Sequence, residues 1–297
     1  MPDNTSGILQ SVRDRALRLG ASYVEARANE RSGDSIVIQD GNADKLYHSD
    51  TAGIGIRVLV EGSWGFASMS GIDRDMALDT LSSAIASAKA SAEGSKGESV
   101  VAELPPIEEH RATSFQIDPR TVPAHKKMAD LLAFDKSAVQ AGQGKLVNRV
   151  ISYGDGWQRE TVCNSFGSLL QMEYTRTSAI ATCFAAEGTL RQRGYVRKAA
   201  MAGYELIESL QPADFPEEAA RKAVDLLSAS PAPSGKFPVI FHPSITGLLT
   251  HEALGHNAEA DHILHGSSIL EGKLGQQVAS PLVTIIDDAT LPGSWGS

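Results

Sequence analysis

His251 and His256 stand five residues apart, with Glu252 beside the first, in the run His251-Glu-Ala-Leu-Gly-His256. Two neutral imidazoles and a neighbouring carboxylate are the donor set of a mononuclear zinc hydrolase. The imidazoles bind the metal, and the carboxylate takes a proton from the metal-bound water. In the helical signature H-E-x-x-H the histidines are four apart, about 40° around the axis at ~100° per residue. Five apart, they diverge by roughly 140°, so an undistorted helix cannot offer both to one metal. Two backbones can: a wide π-type turn, or a helix that ends near Gly255, the residue best able to leave helical geometry. Leu248, Leu249, Ala253 and Leu254 predict a packed helix, in which two histidines and a glutamate need a polar role.

The rest of the chain offers few competing chemistries. It has 297 residues, 42% hydrophobic and 21% charged, enough for a large core or two domains. Net charge is −9 with both signs interspersed and no basic block, which argues against nucleic acid as a partner. No apolar run reaches membrane-spanning length, and the first six residues lack the basic and apolar regions of a secretory signal. Cys163 and Cys183 give no disulfide framework and are expected to be buried, reduced and unbridged. A cytoplasmic protein is the expectation.

Periodicity predicts an opening helix through Ile8, Val12, Ala16 and Leu19, stopped at Gly20. A meander of strands follows at 23–28, 35–39, 45–49 and 53–60, turning at Glu61-Gly-Ser63 into Trp64-Gly-Phe66. Gly53-Ile-Gly55 enters a strand and so is no dinucleotide loop. A helix over 73–92 is capped by Asp73, with Met76, Leu78, Leu81 and Ile85 available for burial. Residues 93–110 read as a connection. A second helix spans 123–141 with Pro at its first turn and His125 exposed. From 145 to 200 strand follows strand, with a hairpin turn at Asn164-Ser-Phe-Gly167. Residues 216–228 form an amphipathic helix, 231–235 a linker, 237–241 a short apolar strand. Pro243 opens the helix that carries His251. Residues 261–275 read as a loop over the site and 282–286 as a strand ending in Asp287-Asp288.

The run from His251 to His256, then Asn-Ala-Glu-Ala-Asp261, Gly266-Ser-Ser, Gly275-Gln-Gln-Val-Ala-Ser280 and Val283-Thr-Ile-Ile-Asp-Asp288, resembles the TldD branch of the TldD/PmbA family of metallopeptidases. Gly53 to Val60 and Trp64-Gly-Phe66 fit that family's amino-terminal domain, and the resemblance runs from about Tyr23 to Ser297. The dipeptidyl-peptidase III family shares only the six-residue motif. The resemblance implies an α+β fold, helices packed on antiparallel sheets. Residues 1–229 are then an N-terminal mixed α/β domain and 231–297 the start of a β-rich C-terminal metallopeptidase domain. The family continues beyond the Gly/Ser end at 293–297, so the chain is expected to be a fragment.

A catalytic zinc takes three protein ligands and leaves one position open. His251 and His256 supply two. Within the chain Glu259, Asp261, His262 and His265 are chemically able to be the third, and Glu259 is best placed to orient a ligand histidine. The resemblance implies instead a cysteine far downstream. No cysteine follows Cys183, so that ligand is expected in a missing C-terminal segment and the chain alone is expected to be inactive. The reading is a zinc-dependent peptidase with Glu252 as general base. The resemblance implies short or unfolded peptides as substrates, held as an added strand, and as partner a metal-free PmbA/TldE-type paralogue, with a second copy the other expectation. The alternatives are a non-catalytic partner or scaffold subunit retaining the motif as a relic, and a hydrolase of some non-peptide amide.

Overall fold

The computed structural model describes residues 4–94 and 99–295. Met1 to Asp3, part of the start read above for a signal, lie outside the described residues. So do 95–98 of the connection and Gly296-Ser297 of the chain end. The chain divides into two compact units, one of residues 1–229 with 293–295 and one centred on residues 230–292.

The first unit opens with α1 (Thr5–Arg18), then β1 (Tyr23–Gln39), β2 (Asn42–Val60), β3 (Ser63–Ser70) and α2 (Arg74–Ala92). The predicted cap holds: Asp73 accepts from the Met76 backbone N–H at 2.9 Å, a contact worth about 1 kcal/mol. There follow β4 (Glu108–Ala112), α3 (Ala124–Ala141), β5 (Leu146–Asn164), β6 (Leu169–Glu187), β7 (Leu190–Ala200), α4 (Glu205–Ser209) and α5 (Pro216–Asp225). The strands join in one sheet in the order β3-β2-β1-β5-β6-β4, with β7 also on β6. All pairs are antiparallel except β4 with β6, which is parallel. β4 covers the start of β6 and β7 the remainder, so both fill one edge position.

Three expectations are corrected here. The segments 23–28 and 35–39 are one 17-residue strand, and 45–49 and 53–60 belong to one 19-residue strand. The polar run between them, Asn29 to Asp34, looked like a loop because no core lies beneath it. The 93–110 connection ends in β4, five exposed residues with no apolar pattern to reveal them. Met76 is exposed, and α2 packs through Ala77, Leu81, Ala84, Ile85 and Ala88 instead.

All the helical cover lies on one face of the sheet. Even-numbered residues of β1 point to it throughout: Val24, Ala26 and Ala28 toward α1 and α2, Ile36 and Ile38 toward α3 and α5. The result is two cores at opposite ends of one sheet. Glycines set how closely each end packs. A Cβ on Gly65 would meet the Ala84 carbonyl at 2.0 Å, and one on Gly194 the Ala219 carbonyl at 1.8 Å. Cys163 and Cys183 are buried, one in each core, and unbridged. Between the cores sits a polar network. The Lys127 ammonium, fully buried, binds Asp34 and Asp155 at 2.6 Å each. His48 bonds Asp34 at 2.7 Å and Asp50 at 2.9 Å.

Among the described residues of the second unit there is no strand. Residues 237–241 and 282–286 belong to no strand, contrary to the two strands expected from their apolar composition. A strand is defined by its pairing, and apolar runs alone do not supply a partner. Among the described residues no helix is long and apolar enough to cross a membrane.

Candidate metal centre

In the second unit, α6 (Pro243–Thr250) begins with proline at its first position, where the missing N–H costs nothing. His242 caps it: its Nδ1 accepts from the Ser244 backbone N–H at 3.3 Å and pairs with the Ser244 hydroxyl at 2.9 Å. From His251 to Gly255 the helix widens into a π turn, in which the His256 N–H donates to the His251 carbonyl. A tighter 3₁₀ turn follows over His256–Ala258, then α7 (Ala260–Leu264) with Glu259 at its N-cap. Of the two backbones open to the five-residue spacing, the chain adopts the wide turn, with Gly255 inside it. Gly255 has ordinary helical φ, and a Cβ there would be in ordinary contact with His251 Nδ1 at 3.5 Å.

The turn brings the two imidazoles together with centroids 4.4 Å apart and planes at 65°. His251, Glu252 and His256 each offer a donor atom, all within 4.8 Å of one another. Glu252 Oε2 lies 3.9 Å from His256 Nε2. The other ring nitrogen, His256 Nδ1, pairs with Glu259 Oε1 at 2.9 Å. An ionised Glu259 accepts from Nδ1–H, which leaves the Nε2 lone pair for a ligand. The donor set suits zinc in element type and in number for two of its ligands.

Glu259, Asp261 and His262 form a second grouping within 4.8 Å, with His262 Nε2 at 3.4 Å from Glu259 Oε2. It joins the first through the His256–Glu259 pair and excludes His265. The stretch read as a loop over the site carries the short α7 instead, and then turns. Buried Ser268 ties it back through its hydroxyl, which donates to the Asn257 carbonyl. The expected packing of the helix is not found: Leu248 and Leu249 are about half exposed, at 55% and 49%, and His251, Glu252 and His256 are exposed. Apolar composition there did not imply a covering layer among the described residues. His125 is exposed, as expected. Sequence reasoning missed the Lys127 network; a lysine in register with Leu131, Phe134 and Ala138 on one helix stripe was the available signal.

The chain carries a helix-borne H-E-x-x-x-H in one unit and an α+β sheet in the other. Sequence models of the PmbA/TldA metallopeptidase match it in three places: domain 1 over 24–92, the central domain over 117–227 and the C-terminal domain over 234–297. A metalloprotease of Methanothermobacter thermautotrophicus is 36% identical over 294 residues, covering 98% of this chain and 61% of its own. One of Methanocaldococcus jannaschii is 31% identical, covering 96% and 62%. The solved structure of TldE from Thermococcus kodakarensis superposes with a TM-score of 0.73 over 97% of this chain and 63% of its own. At 18% identity that likeness is one of fold. The chain belongs to the PmbA/TldD metallopeptidase family, and it spans about three fifths of the length of these relatives.

Proposed function

We propose that the protein containing this chain is a zinc-dependent peptidase of the TldD branch, acting on short or unfolded peptides. The observation that carries the reading is the π turn, which places His251, Glu252 and His256 donor atoms within 4.8 Å. His251 and His256 supply two metal ligands. Bound zinc supplies a Lewis acid that polarises a carbonyl and makes water acidic near neutral pH. Glu252 takes up the proton released when water attacks the scissile carbonyl and hands it to the departing amine. Glu259 holds the His256 ring in the tautomer that frees Nε2. The motif itself supports the TldD branch over a metal-free subunit, since a relic has no reason to keep the turn and the orienting carboxylate together.

In this reading residues 1–229 and 231–297 act as separate domains, and the latter belongs to the metallopeptidase domain. The partner is a PmbA/TldE-type paralogue or a second copy. Two buried, unbridged cysteines fit a reducing compartment, and the cytoplasm is proposed. The test is peptide hydrolysis by the full-length protein and its Glu252→Gln variant. The expected result is a fall in kcat of about 10²–10⁴-fold with zinc retained. Equal turnover by the variant overturns the assignment of Glu252. Absence of peptide cleavage by a zinc-loaded wild type, with or without the paralogue, overturns the peptidase reading.

A further inference from the structure

The sheet face opposite the helices carries a cavity of about 580 Å³ in the middle of the first unit. Its floor is backbone. Gly33 of β1 and Gly154 and Gly156 of β5 all point to this face, and Ser35 pairs with Gly154. The β1–β5 ladder breaks here, between Ser32↔Trp157 and Ser35↔Gly154. Only glycine fits at position 33, where a Cβ would meet the Asp155 carbonyl at 2.3 Å. The break is held from behind. The residues next to these glycines, Asp34 and Asp155, face the other way and grip Lys127 at 2.6 Å each, while the Asp34 N–H donates to Asp155 Oδ1 at 3.1 Å. The sheet therefore opens on one face at the point where a buried ion pair clamps it on the other.

Two guanidinium groups line this cavity, Arg31 of β1 and Arg176 of β6. Arg176 pairs across the ladder with Gly156. Five of the ten arginines on the unit's strands, Arg27, Arg57, Arg111, Arg149 and Arg159, have carboxylate partners, and the three of β7 have none among the described residues. Among the described residues Arg31 and Arg176 have none. Arg31 donates to the Asn29 side chain. The Arg176 guanidinium lies over the Tyr174 ring at 4.9 Å and the Trp295 ring at 5.7 Å. Its Nε is shut off from solvent with no hydrogen-bond partner. The carboxylates of Asp34 and Asp155, behind the floor, are already committed to Lys127. With no carboxylate partner among the described residues, the two guanidinium groups on the lining leave positive charge for an anion entering the cavity to pair with.

We propose that this cavity binds the C-terminal carboxylate of a peptide, with Arg31 and Arg176 as its anchors. Guanidinium forks match a carboxylate's two oxygens. Ser35, Ser178 and Gln158 beside them both donate and accept, as a flanking peptide amide requires. The glycine floor admits an extended backbone close to the sheet. A phosphate offers the same anionic oxygens, and the experiment separates the two. The inference is independent of the metal, because it concerns binding by the first unit alone.

Titration calorimetry is performed on the full-length Glu252→Gln protein, so that cleavage does not intervene and failure of the peptidase reading leaves the result intact. The probes are trialanine as free acid, trialanine amide and inorganic phosphate. The free acid is expected to bind, the amide at least tenfold more weakly. Arg31→Gln and Arg176→Gln should each weaken the free acid at least tenfold, and Arg176→Lys less. Arg191→Gln, a β7 arginine outside the cavity, should change nothing. Thermal melts establish that each variant is folded. Equal affinity for acid and amide, insensitivity to both arginines, equal loss in Arg191→Gln, or binding of phosphate alone overturns the proposal.

Discussion

The backbone N–H of His256 donates to the carbonyl of His251, five residues earlier, and their imidazole centroids lie 4.4 Å apart. In a regular helix that N–H would reach the carbonyl of Glu252, and the two rings would face roughly 140° apart. One hydrogen bond moved by one residue thus converts a spacing that forbids a shared metal into one that permits it. The proposed metal site depends on that turn.

Glu259 is expected to matter through His256. Its carboxylate sits 2.9 Å from His256 Nδ1. Removing it frees the ring to rotate and lowers its basicity. Glu259→Ala should weaken zinc affinity about 10–100-fold, read by competition with a chromophoric chelator. Glu259→Gln, which can still accept from Nδ1–H, should recover part of the loss. An unchanged affinity in the alanine variant would remove Glu259 from the site.

Lys127 carries a stability prediction. Its ammonium and Asp155 are both buried, with side chains 0% and 1% exposed. Truncating one partner leaves an uncompensated buried charge, at a cost of about 3–5 kcal/mol. Denaturant unfolding of Lys127→Ala should show a loss of this size, while a Lys126→Ala change, at an exposed pair with Asp130, should cost about 1 kcal/mol or less. Similar losses for the two would contradict the network's role.

The exposed end of that network gives a pH dependence. Hydrogen bonds donated by its ring nitrogens to Asp34 and then to Asp50 raise the His48 imidazole above its ordinary 6.5. Burial alone would raise Asp34, but its bonds to Lys127 and His48 outweigh it and hold the carboxyl below 3.8. A raised histidine contributes stability that is complete below about pH 6.5 and is lost as pH climbs through its higher folded value. A depressed aspartate contributes stability that is present above its unfolded value and lost as pH falls through the folded one. Stability should therefore decline above neutrality from the histidine and in strong acid from the aspartate. His48→Gln should flatten the decline above pH 6.5 and shrink the acid limb without removing it, because Lys127 still holds Asp34. A profile with no change on that limb would contradict the pairing.

Element by element, the sequence disclosed what apolar periodicity controls. The helix of Thr5–Arg18, the Asp73 cap, the hairpin at Asn164-Ser-Phe-Gly167 and the opening of a helix at Pro243 are all local signals. The long strands were legible only at their ends, where Ala26 and Ile36 sit over different cores. Their middles carry Asp34, Asp155 and glycines, because there one sheet face holds an ion network and the other a cavity. At the site, spacing alone narrowed the backbone to a wide turn or a helix end. The choice between them depends on hydrogen bonding around Gly255 that no residue type dictates. The apolar runs at 237–241 and 282–286 misled because a strand needs a partner as well as a composition.

The most direct test of the metal centre is zinc content of the purified full-length protein by mass spectrometry, with loading and dialysis, alongside His251→Ala, His256→Ala and Glu252→Gln. The account predicts one zinc per chain in the wild type and in Glu252→Gln, and its loss in each histidine variant with thermal melts showing a folded protein. Stoichiometric zinc retained in both histidine variants, or none taken up by the wild type, would contradict it.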